Sequence, residues 1–290
     1  MRHELIQAIE LLASKDASRV NEAIGLLQDT VYSFSMKVCG HREDAEDTMQ
    51  EVLLKSIPHL AAIEDPRAMA VWLYTVTRNQ CWMARRKSKF EPSPAMTLDA
   101  LMPSDHELSM LLADRSHSPE DAAIHHEGGQ QLQQAVLRVP PKYRLILVLH
   151  DMEELDTEEI SKITSLKEGT VRVRLHRARL MVRRELAAPR TKVAPSKSRR
   201  KRPRRQPPTD CRRMFANLSE YLDHRVDQLS CEAMQKHMEG CVPCVAFIRD
   251  LERVVARCRN LNVGCAPETS EALRKVLTQE YLRLLGTNTR

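Results

Sequence analysis

Four residues near the C-terminus could hold a metal. His237 and Cys241 are four positions apart, Cys244 follows in a C-x-x-C pair, and 25 residues separate Cys211 from the histidine. On a helix the first two share a face and the third follows one turn later, so three donors converge without long-range folding, and Cys211 can complete a tetrahedron. Three thiolates and an imidazole suit zinc, which accepts both ligand types and imposes no geometry of its own. One Zn2+ per chain is the expectation. The alternative is a set of free buried cysteines. Cys231 competes as the fourth ligand, but Ser230 reads as an N-cap, which sets Cys231 at the start of the His237 helix and too far from Cys244. A Cys3His site is closed and leaves no position for water, which weighs against a zinc hydrolase. With no Gly-rich phosphate loop and no Ser/His/Asp set either, the chain reads as a non-enzyme.

A second chemistry belongs to the arginines of DTEEISKITSLKEGTVRVRLHRARLMVRREL, from Asp156. Asp156 or Thr157 can cap a short helix carrying Ile160 and Ile163, a break falls at Ser165 to Glu168, and a second helix starts near Gly169 or Thr170. Val171, Leu175, Ala178 and Val182 then form a buried seam, while Arg172, Arg174, Arg177, Arg179 and Arg183 project elsewhere. A short helix, a tight turn and a second helix with an Arg-rich outer face fit a major groove. A lone Arg-rich helix would read as a solvated face.

Two segments of the first half add further chemistry. DAEDTMQEVLLK, Asp44 to Lys55, places Ala45, Met49, Val52 and Leu53 on one helical face and Asp44, Asp47 and Glu51 on another, a stripe that suits a basic partner. MAVWLYTVTRNQCWMARRKSK, Met69 to Lys89, allows a seam of Trp72, Leu73, Val76 and Gln80. Its basic residues interleave with Trp72, Tyr74 and Trp82, which could contact phosphates and stack unpaired bases, although Trp72 reads first as core.

These residues resemble a known family. EEISKITSLKEGTVRVRLHRAR looks like region 4 of the RNA polymerase sigma factors of the extracytoplasmic-function group, and QQLQQAVLRVPPKYRLILVLHD, Gln130 to Asp151, fits the rest of that region. The DAED helix followed by WLY-x-x-x-RN and a basic run resembles sigma region 2 in order and spacing. The resemblance implies that Asp44, Asp47, Gln50 and Glu51 meet the clamp helices of the polymerase β′ subunit. It implies that Arg78, Asn79, Arg85, Arg86 and Lys87, with the loop near Glu64 to Arg67, help melt and read the −10 element. It further implies that Lys167, Thr170, Arg172, Arg174, His176 and Arg177 contact the −35 element. Thr164-Ser165 stands where the family usually has Leu-Gly, and Met83 where it commonly has Asp. CRRMFANLSEYLDHRVDQLSCEAMQKHMEGCVPC is similar to the zinc-binding anti-sigma domains; LSEYLDHRVDQLS matches their second helix, with Leu218, Tyr221, Leu222 and Val226 as its apolar side. Cys258 and Cys265 leave open a tail that senses a thiophilic metal or oxidant.

The elements that position these groups are helical throughout. With 8 glycines and 4% aromatics in 290 residues, and Leu, Ala, Glu, Arg and Met dominant, the fold class is all-α. The net charge of +6 comes from 45 basic and 39 acidic residues, but Arg190 to Arg205 alone holds nine basic residues and no acid. A uniformly basic nucleic-acid coat is excluded, and the positive charge acts from patches. Composition divides the chain into a sigma-like region 2 at 1–89, an acidic linker at 90–129, region 4 at 130–187, a Pro-broken basic tether at 188–210 and a Cys-rich domain at 211–290. A last amphipathic helix is expected from Thr269 to Leu285, with Leu273, Val276, Leu277, Tyr281 and Leu284 on one face. No stretch approaches the ~20 apolar residues of a membrane span. The expectation is a cytoplasmic sigma factor that binds core polymerase and promoter DNA, with a tail that contacts its sigma domains in the same molecule. The rival is a helix-turn-helix regulator acting without polymerase, which would need neither the DAED stripe nor the acidic linker.

Overall fold

A computed structural model describes residues 3–14, 16–60, 65–86, 98–103, 107, 125–187, 209–261, 263–264 and 267–287. All regular structure among them is helical: α1 (His3–Ala13), α2 (Ala17–Cys39), α3 (Arg42–Leu60), α4 (Pro66–Arg86), α5 (Leu98–Leu101), α6 (His125–Arg138), α7 (Pro141–Leu147), a π-helical turn at Val148–Met152, α8 (Thr157–Thr164), α9 (Glu168–Ala187), α10 (Thr209–Leu222), α11 (Gln228–Gly240), α12 (Val242–Arg259) and α13 (Pro267–Thr287). The tether at 188–208 and most of the acidic linker lie outside the described residues, although α5 and the start of α6 fall within the stretch read as linker.

Caps explain the main boundaries. Asp16 accepts hydrogen bonds from the amides of Ser18 and Arg19 at the start of α2, and Gly40, at φ 85°, ends that helix by donating its N–H to the Met36 carbonyl. Asp156 caps α8 and Glu159 returns the bond to the Asp156 amide, a reciprocal capping box. Pro140 and Pro141 separate α6 from α7, with Pro141 at the first helical position, where its missing N–H costs nothing.

The chain forms two compact units. The first combines residues 1–93, 140–171 and 259–290. Its core draws Leu5 and Leu12 from α1, Ile24, Leu27 and Phe34 from α2, Met49, Val52 and Leu53 from α3, and Met69, Leu73 and Tyr74 from α4. The buried seam of α4 is therefore Met69, Ala70, Leu73, Tyr74, Thr77 and Cys81; Trp72, Val76 and Gln80 sit half-exposed at its edge, and Trp72 lies beside His59 with ring centroids 5.3 Å apart. The expected seam shares only Leu73 with it, because aromatic content draws that reading one position round the helix. α13 packs on α2 and α3, burying Leu277 and Tyr281 but leaving Val276 exposed. Arg274 donates from Nε to the Gln28 side-chain oxygen at 3.2 Å, and its guanidinium lies over Gly25, where a Cβ would come within 3.3 Å of Cζ.

The second unit combines residues 94–139 and 172–258. Leu180, Val182, Met214, Phe215, Leu218, Phe247, Ile248 and Leu251 are buried in it, and the Phe215 and Phe247 rings meet at 5.6 Å. α10 stops at Leu222, with His224 left-handed at φ 53°, so Val226 lies in the turn rather than on the apolar side of a longer helix.

Candidate functional site

The Cys-rich cluster is built from three helices. Cys211 lies in the first turn of α10, His237 in the last turn of α11, Cys241 at the residue that closes α11 and Cys244 in the first turn of α12. The helix does not run through Cys241, whose backbone, at φ −123° and ψ 83°, turns the chain so that Cys244 starts a new helix. The N-cap of α11 is Asp227, which accepts from the Ser230 amide at 2.9 Å; Ser230 is three residues into the helix and not its cap. Cys211 Sγ stands 3.6 Å from His237 Nε2 and 3.9 Å from Cys241 Sγ, and His237 Nε2 stands 3.4 Å from Cys244 Sγ. All four donor atoms lie within 4.8 Å of one another, a set that does not include Cys231. A tetrahedron with metal–sulfur bonds of about 2.3 Å and metal–nitrogen bonds of about 2.0–2.1 Å needs ligand separations of roughly 3.3–3.8 Å, so the donor set fits zinc in size and in chemistry. Burial raises the Cys244 thiol pKa, and the Cys241 and Cys211 thiols raise it further, since no thiolate ionises easily beside others without a cation.

α9, the helix expected to read DNA, has two environments. Val171, Leu175, Ala178 and Val182 are buried as the periodicity requires. Lys167, Thr170 and Val173 are exposed at its start, and Arg172, Arg174 and Arg177 are half-exposed. The expected outer comb ends there. Arg179 and Arg183, expected to project outward, are buried: Arg179 reaches Asp223 through both terminal nitrogens at 3.0 and 2.8 Å, and Arg183 Nε reaches Asp250 at 2.8 Å with its guanidinium over the Phe247 ring. His176 is 7% exposed, with Nδ1 2.9 Å from Ser219 Oγ and its ring edge-on to Phe215. Its Nε2 is buried with no hydrogen-bond partner among the described residues. A proton added to the ring would therefore be left without an acceptor; burial, with Arg179 and Arg177 nearby, pushes the pKa down to about 4. Asp223, Ser219 and Asp250 escape a reading of the sequence, and no local spacing marks them, because their partners lie about forty or more residues away in the chain.

In the first unit, Asp47 and Gln50 are exposed on α3 and Asp44 and Glu51 half-exposed. Glu51 is engaged by Lys55 and by the Gln80 side-chain amide. Asn79 is exposed, and Arg78 donates from Nη1 to the Ile163 carbonyl at 2.6 Å and from Nη2 to Asn79 Oδ1 at 2.6 Å. Lys87, Glu64 and Cys265, and the side chains of Arg85 and Arg86, lie outside the described residues.

Comparison with known proteins matches three families in order along the chain: Sigma-70 region 2 over residues 24–91, Sigma-70, region 4 over 129–182, and a zinc-finger family over 211–244. The ECF RNA polymerase sigma factor SigW of Bacillus subtilis is 30% identical over 181 residues, covering 61% of this chain and 94% of that protein. ECF RNA polymerase sigma factor SigE of Mycolicibacterium smegmatis is 32% identical over 173 residues, 58% of this chain and 62% of that protein. The sigma factor RpoE of Bartonella quintana, solved with the anti-sigma factor NepR, is 20% identical with a TM-score of 0.40 over 57% of this chain and 94% of that one. With the region 2 and region 4 motifs in place and a relative matched over nearly its whole length, the chain belongs to the ECF RNA polymerase sigma factors, initiation factors rather than enzymes, which direct RNA polymerase to promoters.

Proposed function

We propose that this sigma factor is held in check by its own zinc-binding tail, which folds back on the helix that reads the −35 element. The observation that carries the reading is the burial of Arg179 against Asp223, together with that of His176 against Ser219, on the helix that must enter the groove. A buried guanidinium already paired to a carboxylate has no group to offer a phosphate, and a covered helix face cannot enter a major groove. One Zn2+ on Cys211, His237, Cys241 and Cys244 ties α10, α11 and α12 together and so fixes Ser219 and Asp223 in the geometry that meets α9. The tail is joined to α9 by the Pro- and Arg-rich stretch 188–208, which makes it an intramolecular ligand at high effective concentration, so a modest contact suffices.

The remaining roles follow from the family. Asp44, Asp47, Gln50 and Glu51 meet the β′ clamp helices; Arg78, Asn79, Arg85, Arg86 and Lys87 act at the −10 element. Lys167, Thr170, Arg172, Arg174 and Arg177 act at the −35 element, joined by His176 once it is uncovered. Among the described residues no helix is long and apolar enough to cross a membrane. Work in the cytoplasm, beside the polymerase, follows from the family. The test is reconstitution of the full chain with core polymerase. Transcription should rise on zinc chelation and fall when Asp44 and Asp47 are reversed to Lys. Activity indifferent to chelation would remove the tail from regulation, and unchanged core binding by the reversed variant would remove the α3 stripe from the interface.

A further inference from the structure

We propose that α13 is a resident helix of region 2 that stays docked on α2 and α3 when core polymerase binds, so that the tail controls reading of the −35 element and leaves uptake of core open; this rests on the tail-locked sigma factor described above and names the step that the tail regulates. Composition alone assigns α13 to the Cys-rich domain at 211–290. In the fold, residues 259–290 join the same compact unit as residues 1–93, whereas Cys211, His237, Cys241 and Cys244 lie in the other unit.

Four residues on one face of α13 make the contact. Arg274, Leu277, Thr278 and Tyr281 recur at i, i+3, i+4 and i+7, and the last three of them are buried. The polar members set the register. Arg274 Nε donates at 3.2 Å to Oε1 of Gln28, a side chain with no exposure, and Thr278 Oγ1 lies 3.4 Å from Asn21 Oδ1. Between these contacts Gly25 offers bare backbone to the Arg274 guanidinium, and a Cβ there would stand 3.3 Å from Cζ. Positions 21, 25 and 28 form a stripe on α2 with the same helical spacing, so a row on one helix meets a row on the other. Undocking α13 would return Leu277 and Tyr281 to water and take this donor from the buried Gln28 oxygen, a cost that loss of zinc from the other unit does not repay.

The face that α13 covers is not the face expected to meet the polymerase. With α13 in place, Asp47 and Gln50 are exposed on α3 and Asp44 is half-exposed. Glu51 is engaged by Lys55 of its own helix and by Gln80 of α4. The stripe is thus open in the same molecule in which Asp223 and Ser219 close off Arg179 and His176 of α9. Core meets the same open stripe whether the tail is locked or released, so its binding shifts neither state. The holoenzyme forms with the tail on and stays silent until the lock on α9 opens.

The test uses the full chain with its metal. Core affinity is read by titration, −35 DNA binding of the core complex by fluorescence anisotropy, and α13 docking by backbone amide exchange of residues 267–287 in mass spectrometry. Protection of α13 should survive both core binding and chelation, while α10 to α12 lose theirs on chelation. Asp223→Ala should keep core affinity within about threefold of the wild type and raise −35 binding of the core complex by about tenfold. Leu277→Asp should release α13 and leave core affinity unchanged. Where Leu277→Asp loses helix outside α13, Arg274→Ala, which removes only the contacts with Gly25 and Gln28, takes its place; it should speed α13 exchange with core affinity again unchanged. Loss of α13 protection on adding core, or core binding tightened about tenfold by releasing α13 or by Asp223→Ala, would overturn the proposal. Core binding by neither the wild type nor Asp223→Ala, or −35 binding unmoved by Asp223→Ala, would strike instead the reading on which it rests.

Discussion

Arg179 on α9 and Asp223, the residue after α10, form a two-pronged ion pair, 2.8 and 3.0 Å, with the side chains 1% and 11% exposed. Arg179 also donates to the Ser219 carbonyl at 3.3 Å, so its planar fork is engaged by α10 and the residue that follows it. Breaking one side of a buried pair costs about 3–5 kcal/mol, because the remaining charge stays without a partner. Asp223→Ala in the full chain should therefore free α9 and strengthen binding to −35 DNA, measured by fluorescence anisotropy. Adding Arg179→Ala should recover much of the lost stability, since no unpaired charge then remains. A folded Asp223→Ala protein with unchanged DNA affinity would show that the pair does not regulate access.

His176 makes the same interface sensitive to acid. Its folded pKa, about 4, lies below the ordinary value of 6.5, so between those two values the unfolded or released ring binds more protons than the buried one. Stability from burying the ring is complete above pH 6.5 and declines as pH falls toward 4. At pH 5 the loss is about 2 kcal/mol, at about 1.4 kcal/mol per pH unit. His176→Phe should flatten this dependence between about pH 5 and 7 in thermal melts. Identical profiles for variant and wild type would exclude His176 as the titrating group.

Metal removal should act on the tail first. Binding energy at a Cys3His site becomes folding energy for the helices that supply the ligands. Chelation, Cys241→Ser or Cys244→Ser should cost helix in α10 to α12 and lower metal content from about one zinc per chain. Cys39→Ser changes a buried residue of α2 far along the sequence and should leave the zinc in place. A tail that keeps its helix without metal would contradict the site.

What the sequence reveals depends on the range of the interaction. The Cys/His cluster is legible because three of its four members lie within eight residues, and the α9 seam because one helical period exposes it. Arg179 and Arg183 pass for outward-facing residues, since the local pattern cannot distinguish an arginine facing water from one facing Asp223 or Asp250. Lys37 likewise looks like an ordinary lysine in the last turn of α2, and only its partner 116 residues away explains its burial. The α4 seam is misplaced by a reading that puts tryptophan in the core, whereas Met69, Thr77 and Cys81 fill that face.

The turn of the helix-turn-helix supplies the last prediction. Ser165 ends α8 in the left-handed region, φ 56° and ψ 35°, where the family usually has glycine. A residue with a Cβ pays roughly 1–2 kcal/mol for that conformation, and glycine escapes the clash but loses more backbone entropy on folding. The turn forms nonetheless, because Thr164 Oγ1 bonds the Ile160 carbonyl and Ser161 Oγ bonds the Leu166 carbonyl, each at 2.6 Å, holding the chain on both sides of the strained residue. Ser165 is itself exposed, so its side chain contributes little packing. Ser165→Gly should then stabilise the protein by about 0.5–1 kcal/mol, the strain removed less the entropy lost, and raise Tm by a few degrees. Ser165→Val should lower Tm, because a β-branched residue tolerates positive φ least. A glycine variant no more stable than the wild type would mean that the two flanking hydroxyl bonds already offset the whole strain.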